Sequence, residues 1–118
     1  MLLKRKVGSL ANNYKNAKVD LTATDVTTLY TAPTATTAIF KSILVSDDSG
    51  SGDTITLTLT DSASAVFSIF KTKTVGANAT VELLTNPLVV MESEILKVTA
   101  ATADRLHVTG SFLEVTNA

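Results

Sequence analysis

Cysteine and tryptophan are both absent from the 118 residues, and histidine occurs once, as His107. Without thiols, a disulfide framework and any thiolate metal site are excluded. One imidazole is too few for a zinc centre built on histidines. Six aromatic residues remain, Tyr14, Tyr30, Phe40, Phe67, Phe70 and Phe112; a core that takes most of them leaves none to line a sugar cleft. The longest apolar run, Leu88-Val89-Val90-Met91, is four residues, whereas a helix needs about 20 to cross a bilayer. No membrane segment is expected. The opening Met1-Leu2-Leu3-Lys4-Arg5-Lys6 is basic, but Val7-Gly8-Ser9-Leu10-Ala11-Asn12-Asn13 after it lacks the roughly 7–15-residue apolar stretch of a signal peptide. The chain is therefore expected to be made and used in a reducing cytoplasm.

What is abundant is threonine, twenty residues, and alanine, fourteen. Threonine is β-branched and favours strands when it alternates with larger aliphatics. Between Asp53 and Asp61, Ile55, Leu57 and Leu59 share one face while Thr54, Thr56, Thr58 and Thr60 share the other, the period of a half-buried strand. Further apolar segments lie at 19–22, 27–31, 36–46, 65–74, 79–84, 88–91, 94–100 and 105–116. They are separated by turn chemistry such as Asp47-Asp48-Ser49-Gly50-Ser51-Gly52 and Gly76-Ala77-Asn78. No stretch keeps a helical period, so any helix is confined to the first twenty residues. The length fits one domain. The expected architecture is all-β: an antiparallel β-sandwich, jelly-roll-like, with Ile55, Leu57, Leu59, Leu83, Val98, Val108 and Phe112 in its core.

Charge divides the chain. Residues 1–18 hold Lys4, Arg5, Lys6, Lys15 and Lys18 with no acidic residue, whereas 19–118 carry five basic against eleven acidic groups, a balance of −6. The expected organisation is a basic N-terminal arm, 1–18, ahead of a sandwich domain, 19–118. Leu2, Leu3, Val7, Leu10 and Tyr14 give the arm apolar anchors, so it is expected to be disordered in the free protein and to order on an anionic partner surface. Nucleic acid is disfavoured as that partner, because the body is acidic and only Tyr14 in the arm is available to stack on a base.

Two segments carry an apolar second face. In 36–46, Ile39, Ile43 and Val45 oppose Phe40 and Leu44; in 65–70, Val66 and Phe70 oppose Phe67 and Ile69. Side by side, such strands would present a patch for self-association through Phe40, Leu44, Phe67 and Ile69.

Catalytic constellations are weak. Asp47, Ser49 and Ser51 fall at calcium-ligand spacing, but the twelfth position is Thr58 rather than a bidentate glutamate, so the segment reads as a hairpin connector. His107 has no Gly-x-Ser-x-Gly nucleophile elbow to serve. Glu92 and Glu94 have glycosidase-like proximity without an aromatic-lined cleft. Asn78-Ala79-Thr80 reads as a turn rather than a glycan acceptor. No catalytic residue, metal or cofactor is expected.

Two stretches resemble a known class. Thr28-Leu29-Tyr30-Thr31-Ala32-Pro33 followed by Thr37–Val45, and Pro87–Ala100 followed by Leu106–Val115, resemble small β-sandwich structural proteins of tailed-bacteriophage virions, over roughly 27–116. That resemblance implies a virion protein, made in the host bacterial cytoplasm, whose partners are the major capsid protein or other virion proteins. The preceding arm looks like the tethers of capsid decoration (cement) proteins, which makes Leu2, Leu3, Lys4, Arg5, Lys6, Leu10, Tyr14, Lys15 and Lys18 the expected contacts. A homo-oligomer, as a trimer, is implied by the same resemblance. A fibre, neck or tail attachment domain and a carbohydrate-binding module are the alternatives.

Overall fold

The computed structural model describes residues 10–117, and side chains for 11–116. Nine strands run through them: β1 Leu10–Leu21, β2 Thr27–Thr31, β3 Thr36–Asp47, β4 Asp53–Thr60, β5 Val66–Val75, β6 Thr80–Glu82, β7 Leu88–Val90, β8 Ile95–Ala100 and β9 Leu106–Asn117. No helix occurs among these residues. One sheet has the order β1-β9-β3-β6, with β7 also on β3, and the other β2-β8-β4-β5; every pairing is antiparallel. Each sheet therefore interleaves strands from the two halves of the chain, as jelly-roll winding requires. The fold is a jelly-roll-like antiparallel β-sandwich.

Alternation explains the core. Ile55 and Leu57 of β4, Leu96 and Val98 of β8, Leu106, Val108 and Phe112 of β9, and Leu83 are buried; Leu59 is half-buried against them. Phe40 lies at the centre, fully buried, its ring 4.4 Å from that of Phe112 and 5.3 Å from that of Tyr30. Room for it comes from Gly110 on β9, where a Cβ would stand 2.7 Å from the Phe40 ring. Glycine inside this strand marks a close approach, not a turn.

Three expectations need correction here. Phe40 faces the core, because β3 carries a bulge: Phe40 pairs with Phe112 and Ser42 with Ser111, leaving Lys41 without a partner. The extra residue shifts the phase, so Ala38 and Phe40 point inward with Ile43 and Val45, while Ile39 and Leu44 point outward. Second, β3 and β5 belong to opposite sheets and cannot form one patch. Third, the expected boundary at 18/19 falls inside β1, and residues 10–18 pair with β9 from Leu10↔Asn117 to Lys18↔Thr109. Those residues are strand in the lone chain, neither a free arm nor helix. Residues 1–9 lie outside the described residues.

The loops are built on carboxylates. Asp47 is buried, and its carboxylate accepts from the Ser49 amide and hydroxyl, the Gly52 amide at 2.8 Å and the Asn78 amide at 3.1 Å. The Ser49 hydroxyl bond foremost, then the backbone donors, outweighs burial and holds Asp47 well below the usual carboxylate range. Its oxygens are taken up by the loop itself. Gly50 and Gly52 adopt φ of +80° and +73° in this connector, as glycine permits. Glu82 plays the same part beside the β3 bulge, accepting from the Ser42 hydroxyl, the Ile43 amide at 2.7 Å and the Leu84 amide at 3.1 Å.

Candidate assembly surface

The sandwich has two poles. β1 begins, β9 ends and β3 begins at one, which we call the entry pole; the Asp47–Gly52 loop and His107 lie toward the other. The expected contact residues separate along this axis. Leu2, Leu3, Lys4, Arg5 and Lys6 lie outside the described residues, and Leu10 opens β1. Tyr14 is 77% exposed on the outer side of β1.

Lys15 is turned to an internal task. Its Nζ lies 2.8 Å from Oε1 of the buried Glu114, whose Oε2 accepts a 2.6 Å bond from the Tyr30 hydroxyl. Burial alone would raise the Glu114 carboxyl; the Lys15 ammonium and the Tyr30 hydroxyl offset it and hold Glu114 below its ordinary value. The same burial, then Glu114 itself, pushes the Tyr30 hydroxyl up. This trio fastens the front of β1 to β9 and β2. Lys18 remains at the surface, its Nζ 3.0 Å from Asn16 Oδ1.

Of the expected self-association residues, Leu44 is 41% and Phe67 53% exposed, Ile69 is half-buried against the core, and Phe40 is buried. Leu44 and Phe67 sit on different sheets.

The outer face of the β1-β9-β3 sheet carries a feature that simple alternation misplaces. Register pairs Tyr14 with Leu113, Leu113 with Ile39 and Ile39 with Val89. All four point away from the core, since the neighbours Phe112, Glu114, Ala38, Phe40 and Val90 are buried. An apolar row thus crosses four strands, about 14 Å at 4.8 Å per strand. Val115, one outward position further along β9, and the exposed Met91 after β7 extend it toward the entry pole. A shallow hollow bounded by Tyr14, Asn16, Lys41 and Ser111 flanks it on the other side. Lys41 was the available signal: strict alternation puts it on the same side as Ile39 and Ile43, and a lysine has no place in that core, so the period must break there.

His107 and Glu94 lie toward opposite poles. His107 is half-buried, its Nε2 3.2 Å from Asp20 Oδ1 and its Nδ1 3.8 Å from Asp48 Oδ2. Glu94 accepts from the Met91 amide at 2.9 Å, closing the turn before β8. Among the described residues no group of three His, Asp or Glu side chains is placed to hold a metal ion.

With the geometry in view, comparison with known proteins gives a fold and no family. No family model matches the sequence, and no curated protein matches it. Solved structures do match. A subunit of Bacillus endospore appendages, described as a novel family of disulfide-linked pili, superposes with a TM-score of 0.55 at 11% identity, covering 92% of this chain and 88% of that one. A chain from the structure of infectious bursal disease virus, Gx strain, superposes with a TM-score of 0.54 at 11% identity over 92% of this chain; the chain spans about a third of that viral chain, 32%. The fold is that of viral and appendage β-sandwiches. At such identity the likeness concerns backbone architecture alone.

Proposed function

We propose that this chain is a non-enzymatic structural subunit that adds to the outside of an assembled capsid, a decoration protein of a tailed-bacteriophage virion. The observation that carries the reading is the apolar row Tyr14–Leu113–Ile39–Val89 on an outer sheet face, in a chain whose sequence also holds the basic and aliphatic group Leu2, Leu3, Lys4, Arg5 and Lys6. Exposed contiguous apolar surface on a small domain serves contact with other chains. The major capsid protein is the partner, with further copies of this chain as neighbours in a trimer. The test is co-sedimentation of the full chain, and of a form lacking residues 1–9, with undecorated capsids. Binding that is weakened but not abolished by salt, and reduced in the shortened form, supports decoration; equal binding of both forms refutes a role for those residues, and no binding refutes decoration.

A second reading, a subunit that polymerises with itself, is favoured by the nearly full-length match to the endospore-appendage subunit. Since this chain has no cysteine, such a polymer would be held without disulfides. Electron microscopy of concentrated protein alone separates the two: filaments without capsids favour the second.

A further inference from the structure

The sheet opposite the apolar row carries a hollow of its own on its outer face, across β8, β4 and β5. We infer that this hollow binds an acidic saccharide, with Lys71 and Lys97 on its anionic groups and Thr56, Thr58, Ser68 and Thr99 on its hydroxyls. The site shares no residue with the apolar row and stands whether or not the subunit decorates a capsid.

Register builds the site. Lys97, Thr58 and Ser68 share one rung across β8, β4 and β5, and Thr99, Thr56 and Lys71 share the next outward one. Ser68 and Lys71 are three residues apart, so strict alternation would put them on opposite faces. A bulge corrects this: Ser68 stands opposite Thr58 and Phe70 opposite Leu57, which leaves Ile69 without a partner and turns Lys71 to the face that holds Ser68. Lys71 and Lys97 then stand on the diagonal, two strands and one outward step apart, about 12 Å between backbones. Thr56 and Thr58 lie between them.

Chemistry selects the ligand. The hollow measures about 480 Å³, within the roughly 300–1,000 Å³ of small-molecule sites. No carboxylate lines it, although residues 19–118 carry eleven, so two lysines make it a positive spot on an acidic body, where an anion concentrates. Its threonine and serine hydroxyls both donate and accept, as the hydroxyls of a sugar do, and branched threonine has few rotamers to lose on meeting them. Thr60, beside the exposed Val66 at one end, is 7% exposed, and its Oγ1 has no hydrogen-bond partner among the described residues. Such an orphan is rare in a folded chain, and a ligand oxygen would satisfy it once the hydroxyl turns toward the hollow. No aromatic ring lines the site, so a neutral sugar finds no stacking platform; charge on the ligand must supply the hold.

Two other occupants fit less well. Protein contacts centre on aromatic side chains, methionine and arginine and are poor in lysine and serine, the reverse of this lining. Single-stranded nucleic acid needs aromatic rings on which bases stack, and none is here.

The test is calorimetric titration of the full chain with four probes: tetragalacturonate, sulfated maltotetraose, neutral maltotetraose and tetraglutamate. One or both acidic saccharides should bind at least tenfold more tightly than maltotetraose and tetraglutamate, and the first two probes tell carboxylate from sulfate. Lys71→Gln with Lys97→Gln should weaken that binding at least tenfold and Thr58→Val several-fold, while Lys41→Gln, which removes a charge from the opposite sheet, should change it less than twofold. Amide resonances of Thr56, Thr58 and Thr99 should shift on titration and that of Leu113 should not. Failure of both acidic saccharides to bind overturns the inference. Equal binding of tetraglutamate means a surface that answers to charge alone and overturns the saccharide class. Binding that survives the double lysine change, or shifts confined to the other sheet, places the contact elsewhere in the chain, the Lys4-Arg5-Lys6 group included, and overturns the site.

Discussion

The two sheets turn different outer faces away from the same core. On β4 and β8 that face is Thr56, Thr58, Thr60, Lys97 and Thr99, which with Val26, Val66, Ser68 and Lys71 line a shallow groove of hydroxyls and lysines that also holds two exposed valines. On β1, β9, β3 and β7 it is the row of Tyr14, Leu113, Ile39 and Val89. Both faces belong to antiparallel strands, yet hydroxyls and lysines predominate on one and apolar side chains form a continuous row across the other. Inward positions are dictated by the core on both sides; outward positions are not, and here they differ between the two sheets.

The bulge at Lys41 decides which residues make up the apolar face, so its removal is the sharpest way to probe the contrast. Deleting Lys41 leaves Phe40 opposite Phe112 and Ser42 opposite Ser111 in a regular ladder, and the variant should still fold. Deleting Thr109 from the uninterrupted β9 should abolish folding, because every residue on one side of the gap would exchange faces. Circular dichroism and thermal melts of both deletions check this; a folded Thr109 deletion would show that register in this sheet is loosely held.

Next in size are single side chains. Phe40→Ala should cost about 3–5 kcal/mol by urea unfolding, while Leu44→Ala, outward on the same strand, should cost under about 1 kcal/mol. Similar losses would place Phe40 and Leu44 in like environments, contrary to the bulge. Gly110→Ala should cost about 1–3 kcal/mol, since the added methyl meets the Phe40 ring.

Acid tests the fastening of β1. Asp47, Glu82 and Glu114 are all held below their ordinary values, so the folded state binds these protons less readily than the unfolded chain does. Their contribution is fully present above the unfolded carboxylate range, near pH 4, and is lost as pH falls through the folded values. Melting temperature should therefore stay level from about pH 7 to 5 and fall below about 4. Glu114→Gln should lower stability at pH 7 by about 1–3 kcal/mol and make the acid decline shallower; an unchanged decline would mean that Glu114 is protonated alike in both states.

The smallest effect concerns the hydroxyl face. Thr60 is 7% exposed and its Oγ1 finds no hydrogen-bond partner. Thr60→Val keeps the shape and removes that hydroxyl, so stability should rise by up to about 1 kcal/mol, whereas Thr58→Val, at a more exposed position, should change it by less than about 0.5 kcal/mol. A loss at Thr60 would mean that its hydroxyl has a partner in solution.

Much of this fold is legible in the sequence where burial is one-sided. β4 declares itself through Thr-Ile-Thr-Leu-Thr-Leu-Thr, and eight of the nine strands fall on segments that apolar content and turn residues mark out. β1 is the exception, since Leu10–Asp20 buries none of its described side chains fully and reads Leu-Ala-Asn-Asn-Tyr-Lys-Asn-Ala-Lys-Val-Asp; only Ala17 and Val19 pack against the core ahead of the buried Leu21. An edge strand paired on one side needs little apolar content, so composition carries no trace of it. The outward row was half legible: Leu44 and the excess apolar content of 36–46 announce it, but Ile39 and Phe40 exchange roles through a bulge that only the misplaced Lys41 betrays. Leu113 and Val89 join it through register, which no local pattern contains.

The rung that pairs Leu10 with Asn117 has a practical reading. The two ends of the described chain leave the sandwich side by side at one pole, so the domain occupies no more length in a host polypeptide than a hairpin does. It can be spliced into an exposed loop of another protein with short linkers, or have its ends joined and be reopened at the Asp61–Ala65 turn, without asking any strand to move. Cargo joined directly at Leu10 or Asn117 would emerge from the same pole, which leaves the opposite one, with Asp48 and His107, free to face outward.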